Sequence, residues 1–258
     1  MLALIDADVL RYEIASIGDN NGPDDPEPMY FDRVAEYLDE RIAKIMYATE
    51  AEACLLFLTN AKNFRHDIAV SKPYKGNRKL EKPFHFANLT AYMNSKYDVE
   101  AQDGLEADDL MALFQLTDFE DENTVICTRD KDLRMIPGWH YGWECGAQPE
   151  EHMHWVTHDG ELWLNKKGKL KANGMSLFYV QLLMGDTTDN IPGLPGVGEK
   201  AAYNLLKDLP VYKMFDVVRA AYHDKGYDDE YLLEQGQLLW MTRELTEEGS
   251  PVLWQLPN

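Results

Sequence analysis

The chain has 258 residues, of which 45% are apolar, and this is enough to bury a sizeable core. It contains no apolar run long enough to span a membrane and begins MLALIDAD without the basic start of a signal peptide, so a soluble cytoplasmic protein is expected. The net charge of −20, from 45 acidic and 25 basic residues, argues against a nucleic-acid partner unless the basic residues are concentrated in one place.

The first 130 residues alternate between short apolar runs and helical periodicity. In chain order they predict a strand at Leu2–Ile5, a helix over 34–46 with Asp32 as its N-cap, a buried strand at Ala53–Thr59, a helix at Leu89–Tyr97, a strand at Tyr97–Ala101, a helix at Ala107–Leu116 and a strand at Thr124–Thr128. An acidic loop rich in Pro and Gly is expected over residues 18–28. The alternation of strands and helices predicts a parallel α/β sheet.

The pattern changes near residue 150, which predicts a boundary between parts 1–150 and 151–258. Met153–Thr157 and Glu161–Asn165, joined by His158-Asp-Gly, predict a hairpin. Beyond Ser176 the pattern is mostly helical to about residue 245. The three cysteines form no C-x-x-C pair, and Cys54 and Cys127 lie in apolar runs, which favours buried side chains over zinc or a disulfide.

Acidic residues recur where the predicted strands end. They follow the first strand, open the helix after the third and follow the last one: Asp6 and Asp8; Glu106, Asp108 and Asp109; Asp130 and Asp132. Because the carboxyl ends of parallel strands form the ligand crevice, these groups are expected to converge there. Asp186 and Asp189, in the helical part, are expected to join them.

A single acidic group at a helix start is more often a cap than a metal ligand. Up to nine carboxylates brought together without matching cations would instead raise one another's pKa, and hard divalent cations remove that cost. Two Mg²⁺ or Mn²⁺ ions about 4 Å apart can activate water and stabilise the leaving oxygen in phosphodiester hydrolysis. Zinc and EF-hand spacings are absent from the sequence, so metal-assisted phosphoryl chemistry is favoured.

Residues 62–82 have a net charge of +5 in this acidic chain, because only Asp67 and Glu81 oppose the basic residues Lys62, Arg65, Lys72, Lys75, Arg78, Lys79 and Lys82. The rings of Tyr74, Phe84 and Phe86 would offer stacking surfaces for bases. A solvated lysine-rich loop is the alternative, but the position between two strands that lead to the acids favours substrate binding. The lysines of 166–171 are interpreted as solvated surface, and the tryptophans at 139, 143, 155 and 163 as packing residues.

Gly193–Gly198, followed by Glu199 and Lys200, forms a glycine-rich turn that opens a helix predicted at Ala201–Lys207. Glycines allow backbone N–H groups to approach a phosphate, and a helix N-terminus favours the anion. A plain corner between helices also needs glycine. Three glycines together with Lys200 favour a clamp on a nucleic-acid backbone.

Five motifs follow one another in a recognisable order: FRH (64–66), PYKGNR (73–78), GLEADDL (104–110), TRDKDL (128–133) and MGDTTDNIPGLPGVGEKAA (184–202). This order resembles the flap endonuclease/5′→3′ exonuclease superfamily over roughly residues 1–210, especially the 5′-nuclease domain of bacterial DNA polymerase I and small bacteriophage 5′→3′ exonucleases. The resemblance implies an α/β fold with a PIN-like parallel-sheet nuclease core, a helical arch at about 62–96 and a helix–three-turn–helix element at about 176–210. It also implies the cytoplasm of a prokaryotic or phage-infected cell.

The resemblance further implies site residues. Metal ligands would be Asp6, Glu106, Asp108 and Asp109 around a first ion, and Asp130, Asp132 and Asp189 around a second, with Asp186 nearby. Catalysis would depend on Asp6, Asp108, Asp130, Lys75 and Arg78, the last two steering the scissile phosphate. DNA contacts would come from Arg65, Tyr74, Lys75, Arg78, Gly193, Gly196, Val197, Gly198 and Lys200. The Gly193–Gly198 turn would also hold a K⁺ ion through its carbonyl groups.

The implied activity is that of a monomeric 5′→3′ exonuclease and flap endonuclease acting on double-stranded, 5′-flap or branched DNA and on RNA in RNA–DNA hybrids, without a membrane partner. Two departures from the family pattern stand out. Asn60 replaces an aspartate expected before the FR motif, and the short stretch between Arg78 and Glu106 favours exonuclease activity over threading of a flap. A PIN-type endoribonuclease, a non-catalytic branched-DNA-binding module and an acidic metal-buffering or protein-interaction domain stay open as alternatives.

Overall fold

The computed structural model describes residues 1–19, 27–60, 62–78, 81–117 and 122–257. They form two compact units, Met1–Ala61 with Leu80–Leu133 and Gly138–Trp155, and Lys62–Lys79 with Arg134–Pro137 and Val156–Asn258. Most of the acidic loop predicted at 18–28, and Lys79, lie outside the described residues. This division differs from a single boundary near 150, because the basic stretch 62–79 groups with the C-terminal part. No helix within the described ranges is long and apolar enough to cross a membrane.

The first unit is built on a sheet with the strand order β3-β2-β1-β4-β5-β6. The strands are β1 (Leu2–Asp6), β2 (Ala53–Phe57), β3 (Val99–Glu100), β4 (Thr124–Cys127), β5 (Gly138–Gly142) and β6 (Glu151–Val156). β1 pairs in parallel with both β2 and β4, and this confirms the predicted parallel sheet. The chain moves outward from β1 on one side and from β4 on the other, so the carboxyl ends of β1 and β4 flank the point where such sheets leave a crevice.

Helices of the first unit cover this sheet. They are α1 (Ala7–Ile17), α2 (Phe31–Thr49), α4 (Phe86–Lys96) and α5 (Ala107–Thr117), while the single turn α3 (Arg65–Ile68) belongs to the second unit. α1 is absent from the predicted elements. It begins directly after β1 because Asp6 Oδ1 accepts a hydrogen bond from the Val9 N–H at 3.0 Å. In α2 the predicted N-cap is wrong, since Tyr30 is the N-cap and Asp32 lies in the first turn.

The arch predicted at about 62–96 includes residues 86–96, which form α4, and for these residues the prediction is wrong. Phe86, Leu89 and Met93 on this helix are buried in one apolar core with Leu10 and Ile14 of α1. Residues 86–96 are therefore a core helix, because burying these side chains is more favourable than exposing them on an arch. Phe86 is only 7% exposed, so its predicted use as a stacking surface for bases is also wrong.

The second unit is mostly helical around α6 (Gly174–Met184), in which every residue from 174 to 183 is buried. α7 (Glu199–Leu206), α8 (Val211–Asp224) and α9 (Asp229–Leu239) pack against it. The Phe178 ring meets the rings of Trp240 and Trp254 edge-on, with centroids 5.0 and 5.3 Å apart. The predicted helical pattern thus ends at Leu239 and not near residue 245.

The predicted hairpin of residues 153–165 is wrong. β6 ends at Val156 in the large sheet, and the hairpin instead joins β7 (Leu162–Leu164) to β8 (Leu170–Ala172). Asn165 explains the difference, because its Oδ1 accepts hydrogen bonds from the Lys167 and Lys169 N–H groups and closes the turn there. The lysines of this turn are exposed, as predicted for solvated surface.

Candidate functional site

Asp6 ends β1 beside the end of β4 and is only 1% exposed. Its Oδ2 accepts a hydrogen bond from Thr128 Oγ1 at 2.6 Å, and Thr128 directly follows β4. Burial, with a smaller contribution from the charges of Asp8 and Asp130, raises the pKa of Asp6 to about 7 against the lowering effect of its hydrogen bonds. A buried carboxylate is therefore held at the switch point of the sheet with two more acids close by.

Asp8 extends this group of acids towards α5. Burial raises its pKa, and the charge of Glu106 adds to the rise. The fold thus brings together four acids, as predicted for the strand ends. They are called the acidic cluster here and are Asp6, Asp8, Glu106 and Asp130. The acids were predicted to have no basic side chains beside them. This is wrong for Asp8, because Arg11 Nη2 lies 2.6 Å from its Oδ1. This pair forms one turn apart on α1, the helix that the sequence pattern did not predict.

The remaining predicted acids of the first unit also have local partners. Asp109 is fully buried, and its Oδ2 accepts a hydrogen bond from the Glu106 N–H at 3.1 Å, as a helix cap does. Asp130 Oδ1 accepts the Asp132 N–H at 2.9 Å, and Lys131 Nζ lies 3.7 Å from Asp132 Oδ1. Asp108 is half-buried in the first turn of α5. The roles of Asp108, Asp109 and Asp132 as metal ligands stay predictions.

Two threonines in this region were not among the predicted site residues. Thr128 donates to Asp6, and its Oγ1 also accepts the Asp130 N–H at 2.8 Å. Thr59 Oγ1 accepts the Ala107 N–H at 2.9 Å, while the Thr59 N–H donates to Asp8 Oδ2. Both residues follow strands that end next to acids, and a short hydroxyl side chain at such a position is the sequence signal that identifies them.

The chemistry of the acidic cluster suits a hard divalent cation. Its donors are carboxylate oxygens, the ligands that Mg²⁺ and Mn²⁺ prefer, and a cation would offset the cost of burying Asp6 near other acids. Among the described residues, no group of three or more His, Cys, Asp or Glu side chains has the arrangement of a metal site. The residues thus fit the metal by the chemistry of their donor atoms.

In the second unit Asp189 lies among basic side chains. Its carboxylate accepts the Tyr74 hydroxyl at 2.8 Å and pairs with Arg78, and Lys75 Nζ lies 3.8 Å away. The Lys75 N–H also donates to the Asp189 carbonyl at 2.9 Å, with Lys75 held at φ 54°, a conformation that costs a lysine on the order of 1 kcal/mol. The prediction that no basic side chain lies beside the acids is therefore wrong for Asp189, whose carboxylate orients the side chains of both Lys75 and Arg78.

Tyr74 and Arg65 do not have the predicted roles of DNA contacts. Both side chains are only 4% exposed. Tyr74 uses its hydroxyl on Asp189, so its ring is packing and not a stacking surface. The Arg65 guanidinium donates to the carbonyls of Leu238 at 3.0 Å and Trp240 at 2.7 Å, at the end of α9. Both predictions fail because burial leaves no surface for a base or a phosphate.

We expect Arg65→Gln to lower the melting temperature by several degrees, because charged hydrogen bonds to buried carbonyls contribute about 1.5–3 kcal/mol each. DNA binding by the folded protein should change less than about two-fold, since Arg65 offers nothing to a phosphate. Thermal unfolding and binding to a labelled duplex measure the two effects. An unchanged melting temperature with clearly weaker binding would instead support the phosphate contact.

α9 connects the basic segment, residues 62–78, to the glycine-rich turn, Gly193–Gly198. Glu234 Oε1 accepts the Val70 and Ser71 N–H groups, both at 2.7 Å. Gln235, which is fully buried, accepts the Gly193 N–H at 3.0 Å. α9 therefore positions both segments that are predicted to bind phosphate.

The glycine-rich turn needs glycine at two positions. Gly193 has φ 59° and Gly196 has φ 79°, in the left-handed region. A Cβ on Gly193 would lie 2.1 Å from the Gly185 nitrogen, so no other residue fits there. Gly198 is the N-cap of α7, and Lys200 is exposed in its first turn, while Val197 is partly buried against the core. The DNA-binding roles of these residues stay predictions.

Asp186 is 3% exposed and organises the loop that precedes this turn. Its Oδ1 accepts the Thr188 N–H at 2.7 Å, and its backbone pairs with Ile191 in both directions. The loop carries Asp189 towards Lys75 and Arg78. A share for Asp186 and Asp189 in metal binding stays a prediction.

Comparison with known proteins gives a consistent result, although no protein-family profile matches the chain. A 5′-3′ exonuclease of Mycoplasmopsis pulmonis (strain UAB CTIP) is 31% identical over 164 residues, covering 59% of this chain and 50% of that protein. DNA polymerase I of Bacillus subtilis (strain 168) is 32% identical over 154 residues, covering 57% of this chain and 16% of the polymerase. The chain thus spans half or less of the length of these relatives.

Solved structures agree in fold. A bacteriophage T5 flap endonuclease, in a complex with DNA and metal ions, has a TM-score of 0.63 at 15% identity, covering 92% of this chain and 88% of that one. A T5 5′-exonuclease with zinc bound has a TM-score of 0.62. The chain therefore resembles 5′-3′ exonucleases and bacterial DNA polymerase I in sequence, and the bacteriophage T5 flap endonuclease in fold.

Asn60 departs from the superfamily pattern, and the structure shows what replaces the expected aspartate. Its Nδ2 donates to Asp103 Oδ1 at 2.7 Å. An aspartate at position 60 would face Asp103 without a proton to donate and would repel it. Asparagine at 60 and aspartate at 103 therefore form a matched pair in this chain.

Proposed function

We propose that the chain is a divalent-metal-dependent 5′ nuclease. It would hydrolyse phosphodiester bonds of double-stranded, 5′-flap or branched DNA as an exonuclease and flap endonuclease, and RNA in RNA–DNA hybrids. The observation that carries the proposal is the acidic cluster at the switch point of the sheet, where Asp6 is buried near Asp8 and Asp130. Sequence relatives named 5′-3′ exonuclease and DNA polymerase I, and fold neighbours crystallised with DNA and metals, support it.

The chain would hold two Mg²⁺ or Mn²⁺ ions. Their ligands in the first unit would be Asp6, Glu106, Asp108 and Asp130. Further predicted ligands are Asp109, Asp132, Asp186 and Asp189. Such ions, when bound, activate water and neutralise charge on the leaving oxygen. Thr128 fixes the orientation of the Asp6 carboxylate by donating to its Oδ2. The products would be a 5′-phosphate and a 3′-hydroxyl.

Lys75 and Arg78 would stabilise the charge that develops on the scissile phosphate. Asp189 holds both side chains in place, and the strained backbone of Lys75 is anchored by the same residue. The glycine-rich turn and Lys200 would bind the duplex backbone. Contacts of this kind read no base sequence, so cutting is expected to depend on DNA structure and not on sequence.

A labelled-substrate assay tests the proposal. With Mg²⁺ the chain should shorten a 5′-labelled duplex and cut a 5′ flap, and both activities should stop in EDTA. Raising the salt from about 50 to about 200 mM should slow cleavage at least about ten-fold, because phosphate contacts release counterions.

The alternatives predict other results in the same assay. Cutting of single-stranded RNA without cutting of flap DNA would favour a PIN-type ribonuclease. Flap binding that EDTA leaves unchanged, without any cleavage, would favour a non-catalytic binding module. Full activity of Asp130→Ala would remove the assignment of the acidic cluster.

A further inference from the structure

A lysine ammonium lies on the carbonyl side of the glycine-rich turn. Lys225, the residue that follows α8, places its Nζ 2.7 Å from the Pro195 carbonyl oxygen. A Cβ built on Gly196 would lie 3.2 Å from the same Nζ. Glycine at 196 is required by its φ of 79°, and its lack of a side chain also leaves room for the ammonium.

Three other carbonyls of the turn, those of Gly193, Leu194 and Gly198, accept hydrogen bonds from within the second unit. The Gly193 carbonyl accepts the Tyr231 hydroxyl at 3.1 Å. The Leu194 carbonyl accepts the Val197 N–H at 3.1 Å, and the Gly198 carbonyl accepts two N–H groups of α7, both at 3.0 Å. The donor on Pro195 is the only charged one among these four carbonyls.

This arrangement does not fit the K⁺ ion that the family resemblance implies for the turn. A K⁺ ion on the Pro195 carbonyl would share that oxygen with the Lys225 ammonium, and two positive charges on one acceptor repel each other. The backbone of Lys225 is also held in position beside the turn. Its backbone N–H donates to Tyr222 at 3.1 Å, and Tyr222 is buried with its hydroxyl on the Leu182 carbonyl.

We propose that Lys225 is the built-in cation of the glycine-rich turn and replaces K⁺ in this chain. An ammonium has three donors, so one N–H holds the Pro195 carbonyl while the others face outward to a DNA phosphate. Lys225 is exposed and lines a shallow groove together with Leu194, Gly196 and Val197, which leaves room for the phosphate. Binding of duplex DNA, which rests on the proposed function, is then independent of K⁺.

The first test needs no DNA. Thermal unfolding of the full chain is measured in KCl, NaCl and tetramethylammonium chloride at equal ionic strength. The wild-type melting temperature should agree within about 1 °C in the three salts. Lys225→Met should melt about 2–4 °C lower in NaCl and recover in KCl only, because a K⁺ ion can then occupy the vacated carbonyl. Lys213→Met, which removes an exposed lysine from α8, should show neither effect.

The second test measures binding to a labelled 5′-flap duplex in EDTA. Wild-type affinity should be equal within about two-fold in KCl and NaCl, and Lys225→Met should bind about ten-fold more weakly in NaCl than Lys213→Met does. KCl should restore much of the loss, and Lys225→Arg should keep most of the affinity by keeping the charge.

Two results would overturn the proposal: a wild-type chain whose stability or binding depends on K⁺, or a Lys225→Met variant that behaves as Lys213→Met in every salt. A wild-type chain that binds no duplex in any salt contradicts the proposed function instead. In that case the salt dependence of unfolding still decides whether Lys225 replaces K⁺ at the turn.

Discussion

Asp6→Asn is expected to lower the nuclease rate about a thousand-fold or more and, at the same time, to raise the melting temperature of the metal-free chain. Asparagine keeps the shape of the side chain and can still accept the Val9 N–H, so the start of α1 is preserved. The charge is lost from a residue that is 1% exposed and lies near Asp8 and Asp130. Removing a buried charge that has acidic neighbours should stabilise the fold by up to a few kcal/mol.

Steady-state cleavage of a 5′-flap duplex and thermal unfolding in EDTA measure the two effects. Asp98→Asn is the matched control, because Asp98 is an exposed acid of the same unit. It should leave both the rate and the melting temperature nearly unchanged. If Asp6→Asn lowered the melting temperature as well as the rate, Asp6 would be a structural residue and the functional assignment would fail.

Lys75→Ala is expected to lower kcat about a hundred-fold while KM changes little, because the ammonium would act on charge that develops in the transition state. Lys75 is held by Asp189 through its side chain and its backbone, and this places the charge in a defined position. Lys75→Arg should recover part of the rate. Its different shape and hydrogen-bond geometry should prevent full recovery.

Lys72→Ala provides the comparison for Lys75. Lys72 is an exposed lysine of the same basic segment. The Lys72→Ala substitution therefore removes the same charge and leaves the contact between Lys75 and Asp189 in place. Lys72→Ala should change KM and the salt dependence of cleavage, and KM should rise by less than about five-fold at moderate salt. Equal losses of kcat in the two variants would show that the segment acts through its total charge, without a positioned Lys75.

The sequence by itself determined the features that depend on neighbouring residues. Apolar runs such as Ala53–Thr59 predict buried parallel strands, and acids directly after such runs predict a cluster at one edge of the sheet. Asp6 and Asp130 meet this expectation, because the end of a strand follows from a local pattern and parallel strands end at the same edge of the sheet. The resemblance to the superfamily could likewise be recognised, because its motifs are short and keep their order.

Only the tertiary structure decided which charged side chains have partners and which are buried. Tyr74 and Asp189 are 115 residues apart, and Arg65 and the Leu238 carbonyl are 173 apart, so no local pattern relates them. A basic or aromatic residue looks the same in a sequence whether it faces a phosphate or a carbonyl inside the protein. Packing makes the choice for Arg65, because a buried charge needs hydrogen-bond partners, and its partners are the carbonyls of Leu238 and Trp240.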